Sequence, residues 1–162
     1  MPSGPRVLFD NSCYHIMARG NQKRNIFREE KDYEEYIIRI IRYKKKYNIK
    51  LYAYCLMPNH IHIMGMVGKK QNLSNFMHNL TRSYTAYFNE KYEKVGYLWQ
   101  GRFKSRIILK DKYLISCIQY IETNPVRAEI VASPEHYPWS SFKERIFEAT
   151  KGLKVLDSLT ME

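Results

Sequence analysis

Nothing in the sequence approaches the roughly 18 consecutive apolar residues that a membrane-spanning helix requires. The opening Met1-Pro2-Ser3-Gly4-Pro5-Arg6 lacks the apolar stretch of a secretory signal. Cysteine is scarce: Cys13, Cys55 and Cys117 are odd in number, far apart and form no C-x-x-C. That argues against both a disulfide framework and a zinc site, and fits reduced thiols. A cytoplasmic location is the expectation. Internal repeats and low-complexity segments are lacking. So is any G-x-x-x-x-G-K-[ST] loop, so nothing points to ATP-driven chemistry.

Acidic residues are the minority charge. Against 16 Asp and Glu stand 27 Lys and Arg, a formal excess of +11. A small domain with that excess carries a field suited to a polyanion, whether nucleic acid, a membrane surface or an acidic protein. The chain also holds 14 Tyr, 7 Phe and 2 Trp. Aromatic rings interleaved with cations suit unstacked bases and their phosphates, although most such rings serve simply as packing. At 162 residues, 44% of them hydrophobic, the chain fits one packed domain. That domain is expected over 1–149, with 150–162 a loose tail.

Patterning along the chain alternates between strand and helix. Cys13 to Ala18 is a short apolar run, followed by the polar turn Gly20 to Asn25. Glu29 to Tyr47 has helical spacing, with an acidic first turn and a lysine-rich last turn, as the helix dipole favours. Leu51 to Met57 and His60 to Val67 read as antiparallel strands joined at Pro58-Asn59. A second helix is predicted over Asn72 to Tyr92, a fourth strand over Arg102 to Leu109, and a third helix from Lys112 to about Thr123. Asp111 would cap that third helix and Pro125 would stop it. The order β-α-β-β-α-β-α predicts an α+β fold of ferredoxin-like type. Two helices would back an antiparallel sheet, with a further helix lying elsewhere.

Chemistry concentrates in Pro58-Asn59-His60-Ile61-His62. Strand alternation brings His60 and His62 out side by side while Ile61 points to the core. Two such imidazoles are either a plain surface pair or two ligands of one divalent cation needing a third donor from elsewhere. Tyr120 and Asn124, four residues apart, share a helical face beside the apolar stripe of Leu114, Ile118 and Ile121. An asparagine amide oxygen is a hard donor suited to Mg²⁺ or Mn²⁺. The bland alternative makes Tyr120 a packing residue and Asn124 a helix end.

Four phrases taken together resemble the HUH single-tyrosine transposases of the REP-associated type. They are Ala18-Arg19-Gly20-Asn21, Met57-Pro58-Asn59-His60-Ile61-His62, Leu98-Trp99-Gln100-Gly101-Arg102 and Tyr120-Ile121-Glu122-Thr123-Asn124-Pro125-Val126. The resemblance runs from about Tyr14 to Phe142. It implies a ferredoxin-like fold and a Mg²⁺ or Mn²⁺ site built by His60, His62 and Asn124. It also implies cleavage and rejoining of hairpin-bearing single-stranded DNA, with Tyr120 on an additional C-terminal helix as the nucleophile. Insertion-sequence relatives more often carry glutamine at the position of Asn124, and Glu122 is a substitute donor on the same helix. Those relatives form dimers, whereas the REP-associated type looks more like monomers, so monomer and homodimer both stand.

Arg19, Lys23, Arg24, Arg82, Arg102, Lys104 and Arg106 are the candidate phosphate contacts, each alternatively a solvated surface charge. Arg102, Lys104 and Arg106 share one face of the fourth strand. Trp99, Tyr97 or Phe103 could stack on a base, burial being the more natural fate of Phe103. Histidine-triad hydrolases would need a third histidine where Met64 stands, and two-histidine phosphoesterases would need two H-x-[ST] motifs. Plasmid replication initiators and relaxases share HUH chemistry, but the residues around Tyr120 look less like theirs. A non-catalytic, domesticated hairpin-binding protein of the same fold is the remaining alternative.

Overall fold

The computed structural model describes residues 6–109, 111–147 and 154–159. Its strands are β1 (Ser12–Arg19), β2 (Ile49–Met57), β3 (His60–Val67) and β4 (Lys104–Ile108). The helices are α1 (Glu30–Lys46), α2 (Lys70–Tyr92), α3 (Asp111–Glu122), the single turn α4 (Asn124–Arg127) and α5 (Phe142–Phe147). The four strands form one antiparallel sheet in the order β2-β3-β1-β4, the ferredoxin-like arrangement.

Strand alternation divides the sheet into two faces. Tyr14, Ile16, Ile61, Ile63 and Val67 pack with the buried sides of α1 and α2: Tyr36, Ile37 and Ile40 from one, Leu73, Phe76, Leu80, Tyr84 and Phe88 from the other. The opposite face, with Cys13, Cys55, Met57 and Met64, is covered by Leu114, Ile118 and Ile121 of α3. The third helix therefore lies across the sheet from the other two. A bulge between Leu51 and Ala53 switches the parity of β2, so Leu51 joins the first core and Ala53 the second.

The β2–β3 hairpin is tied down at its tip. Pro58 O accepts from the Ile26 and Phe27 N–H groups, and Asn59 O accepts from Gly20 N–H. A Cβ on Gly20 would stand 2.4 Å from Arg24 O, so only glycine permits this close return of the chain. The strand that carries the histidines thus starts from a fixed corner.

Three details depart from the sequence reading. The fourth strand is shorter than Arg102 to Leu109, which leaves Arg102 in the preceding loop. Asp111 lies within α3 rather than ahead of it. Helix α3 does end ahead of Pro125, at Glu122, but a further turn, α4, begins at Asn124, where the missing N–H of Pro125 is harmless. The expected loose tail over 150–162 also needs correction among its described residues, 154–159. Val155 and Leu156 are 1% and 7% exposed. Their N–H groups donate to the Glu144 carboxylate, and Lys44 pairs with Asp157 at 3.0 Å. Two apolar side chains among polar ones suffice to dock such a segment, a signal too short to register as periodicity.

Asp32 joins the two helices of the first layer. Fully buried, its carboxylate accepts from the N–H groups of Arg28 and Glu29, the hydroxyls of Tyr87 and Tyr92, and the Lys91 ammonium. Burial pushes its pKa up, but these donated hydrogen bonds outweigh it and the net displacement is downward from 3.8. The stability it contributes is therefore fully present above that ordinary value and lost as pH falls through the lower, folded one. Asp32→Ala strands several part-buried donors and is expected to cost about 2–4 kcal/mol in urea unfolding at pH 7.

Candidate active site

The β1–β3 register sets Met17 opposite His62 and Arg19 opposite His60. His60 and His62 leave the strand on the face that α3 covers, with ring centroids 5.0 Å apart and nearly perpendicular. His15, two residues along β1 from Met17, shares that face, and its Nε2 lies 2.9 Å from His62 Nδ1. It was not among the residues singled out from the sequence. The long-range β1–β3 register that aligns Arg19 with His60 brings it there, and no local pattern does.

Hydrogen bonding assigns the tautomers. Asn59 Oδ1, an acceptor only, lies 2.7 Å from His60 Nδ1, so that nitrogen carries the proton. Asn124 Nδ2, a donor only, lies 3.0 Å from His62 Nε2, so His62 donates from Nδ1 to His15. Both HUH histidines then have Nε2 as the lone-pair nitrogen. Burial pushes the His62 pKa down to about 3, helped by the charges of His15, His60 and Arg127. Burial and Arg106 push His15 down to about 4, and burial and Arg19 lower His60. All three rings are neutral near pH 7, as lone-pair donors must be.

Tyr120 projects from α3 beside this group. Its ring centroid is 6.3 Å from that of His62 and 6.1 Å from that of His15, and the residue is 51% exposed. Arg127 fastens the helix end. Its guanidinium lies 4.0 Å from the Tyr120 ring centroid, donates to the Tyr120 carbonyl at 2.6 Å and bonds Thr123 Oγ1. Tyr120, Asn124, His60 and His62 thus meet within one chain. Among the described residues no three His, Cys, Asp or Glu side chains gather as a metal cage; the side chain that meets His62 Nε2 is the Asn124 amide.

Glu122 does not serve as that donor. It is buried on the other side of α3, accepting from Ser141 Oγ and the Arg145 side chain. Two residues along a helix turn a side chain by about 200°, away from Tyr120. Glu122→Gln is expected to lower the midpoint of thermal unfolding by several degrees while leaving Mn²⁺ affinity, measured by calorimetry, within twofold of wild type.

The candidate phosphate contacts separate into groups. Arg19, Lys23, Arg102 and Lys104 line a cavity of about 360 Å³ with His60 and His62. Arg106 faces a second cleft on the Tyr120 side. Arg82 and Trp99 line a groove along α2, remote from Tyr120 but joined to the first cavity through Arg102. Arg24 is half-buried in the turn after β1. Trp99 packs partly into the core near Tyr36 and Tyr84, leaving Tyr97, 86% exposed, as the free ring of that loop. Phe103 is half-buried under the Arg6 guanidinium.

In class this is a ferredoxin-like domain with an HUH strand facing a tyrosine-bearing helix. The chain belongs to the IS200-like transposase family, whose model matches residues 9–124, from just ahead of β1 through Asn124. Among curated relatives, a REP-associated tyrosine transposase of Haemophilus influenzae is 30% identical over 109 residues, 59% of this chain. The match spans 60% of that relative's length. The fold is similar to the solved structure of a REP-associated tyrosine transposase bound to a REP hairpin, with TM-score 0.76 and 20% identity over 98% of this chain and 95% of that one. A transposase from Deinococcus radiodurans R1 matches with TM-score 0.50 and 15% identity over 76% of this chain and 97% of its own.

Proposed function

We propose that this protein cleaves and rejoins hairpin-bearing single-stranded DNA through a transient covalent bond to Tyr120. The observation that carries the reading is the half-exposed Tyr120 ring standing 6.3 Å from the buried His62 of the same chain. A site complete in one chain supports action as a monomer. The excess of +11 supports a polyanionic substrate, and the relative solved with a REP hairpin supports DNA of that kind.

The residues fit a divalent cation. Neutral imidazoles of His60 and His62 offer Nε2 lone pairs, and the Asn124 amide, turned over, offers its oxygen. A mixed nitrogen and oxygen set suits Mn²⁺, and Mg²⁺ with more water in its sphere. When bound, the cation supplies charge neutralisation and orientation for the scissile phosphate.

The protein's own residues do the rest. Arg19, Lys23, Arg102 and Lys104 draw the strand into the cavity that contains the histidines. Tyr120 Oη forms a bond to phosphorus while the P–O3′ bond opposite it breaks. The phenol proton passes to solvent, to which the side chain is open, and the departing 3′-oxygen takes one up. The 5′-phosphate stays on tyrosine, so bond energy is retained and no ATP is consumed. Attack by another 3′-hydroxyl reverses the step and joins the strands. His15 holds the His62 ring so that Nε2 faces Asn124.

Incubation of labelled REP-like hairpin strands with the protein and Mn²⁺ is expected to give an adduct on a denaturing gel. Tyr120→Phe is expected to abolish it. Adduct from Tyr120→Phe, or none from wild type across many hairpins, contradicts the reading and leaves a hairpin-binding protein without turnover. His15→Ala is expected to weaken Mn²⁺ binding about 10- to 100-fold, with His15→Gln recovering part of the loss. Unchanged affinity in His15→Ala shows that the His15–His62 bond does not orient the ligand.

A further inference from the structure

Helix α3 carries two stripes rather than one. Leu114, Ile118 and Ile121 are buried against the sheet. Tyr113, Cys117 and Tyr120, at i, i+4 and i+7, form a neighbouring stripe that overlooks the β1–β4 edge. Between that stripe and the sheet lies an open cleft of about 590 Å³, whose walls include Met17, Arg106 and Leu109. Three large apolar side chains around it remain in water: Leu109 is 77% exposed, and Tyr113 and Tyr120 are each 51% exposed. Exposed apolar surface gathered around a concavity, next to a candidate nucleophile, is the mark of a binding site.

The two clefts beside the histidines differ in chemistry. Met17 forms part of both walls. The first cleft carries Arg19, Lys23, Arg102 and Lys104, suited to phosphates. The second carries two phenol rings, three aliphatic chains, the His15 imidazole and one guanidinium, which suit the face and edge of an unstacked base. Polarity of the strand follows from the geometry of displacement. In-line attack sends the leaving 3′-oxygen away from Tyr120, so the nucleotide that keeps the phosphate remains on the tyrosine's side.

We propose that the cleft between α3 and the β1–β4 edge is a nucleobase subsite that stacks the base immediately 3′ of the scissile phosphate on Tyr113. The assignment rests on the proposed strand transfer for its orientation, and its test reads binding rather than cleavage. Tyr120→Phe protein serves as the background, so that no strand is consumed. By fluorescence anisotropy, a hairpin strand with an intact base at that nucleotide is expected to bind about 10- to 100-fold tighter than one with an abasic residue there. Adding Tyr113→Ala is expected to shrink that preference below about threefold, and Tyr113→Trp to retain it. Leu109→Ser, on the loop beyond β4 and outside the helix, is expected to reduce it too, which guards against a local unfolding of α3. Equal binding of intact and abasic strands overturns the subsite. So does a Tyr113→Ala loss that falls equally on both strands. Either result stands whether or not the wild-type protein forms an adduct.

Discussion

The arrangement depends on the antiparallel pairing of β1 with β3. That register puts His15, His60 and His62 on one pleated face and Ile16, Ile61 and Ile63 on the other. A slip of one residue in β3 would send both HUH histidines into the core beneath α1 and α2 and bring two isoleucines out. The isoleucines are fully buried, so the hydrophobic face that stabilises the sheet also holds the imidazoles on the opposite face, beneath α3. Binding chemistry and packing are enforced by the same alternation.

Presentation of Tyr120 is a packing result as well. Helix α3 rests on the sheet through Leu114, Ile118 and Ile121, and its end is held by the buried Glu122 with Ser141 and Arg145. Arg127 reaches back from α4 to the Tyr120 carbonyl. The Tyr120 ring is thereby half-exposed but fixed at its base, which under the proposed strand transfer would limit the entropy lost in meeting a phosphate in line. The surrounding charge is graded: cations gather in the histidine cavity, whereas the cleft on the other side of Tyr120 has a single guanidinium among apolar walls.

Much of this was legible in the residues. Strand alternation placed His60 and His62 together, and the β-α-β-β-α-β-α order matched the sheet; Tyr120 and Asn124 both approach His62, but from α3 and the separate turn α4 rather than along one helix face. Features made by distant pairing were not legible. His15 sits in an ordinary apolar run, and only the pairing of β1 with β3 turns it toward His62. Glu122 shares a helix with Tyr120, but the buried Ser141 and half-buried Arg145 that claim it come from the segment after α4. The docking of Val155 and Leu156 rests on Glu144 and Lys44, the latter more than a hundred residues away. Trp99 reads as a loop aromatic, yet the rings of Tyr36 and Tyr84 draw it partly inward.

The central claim is chemical: one particular phenol, beside neutral histidines of its own chain, takes the DNA. Peptide mass spectrometry of a proteolysed and nuclease-trimmed reaction with Mn²⁺ measures it most directly. A nucleotide mass attached to Tyr120 is the predicted result. The same mass on another residue, Tyr97 or Tyr113 for instance, would contradict the account.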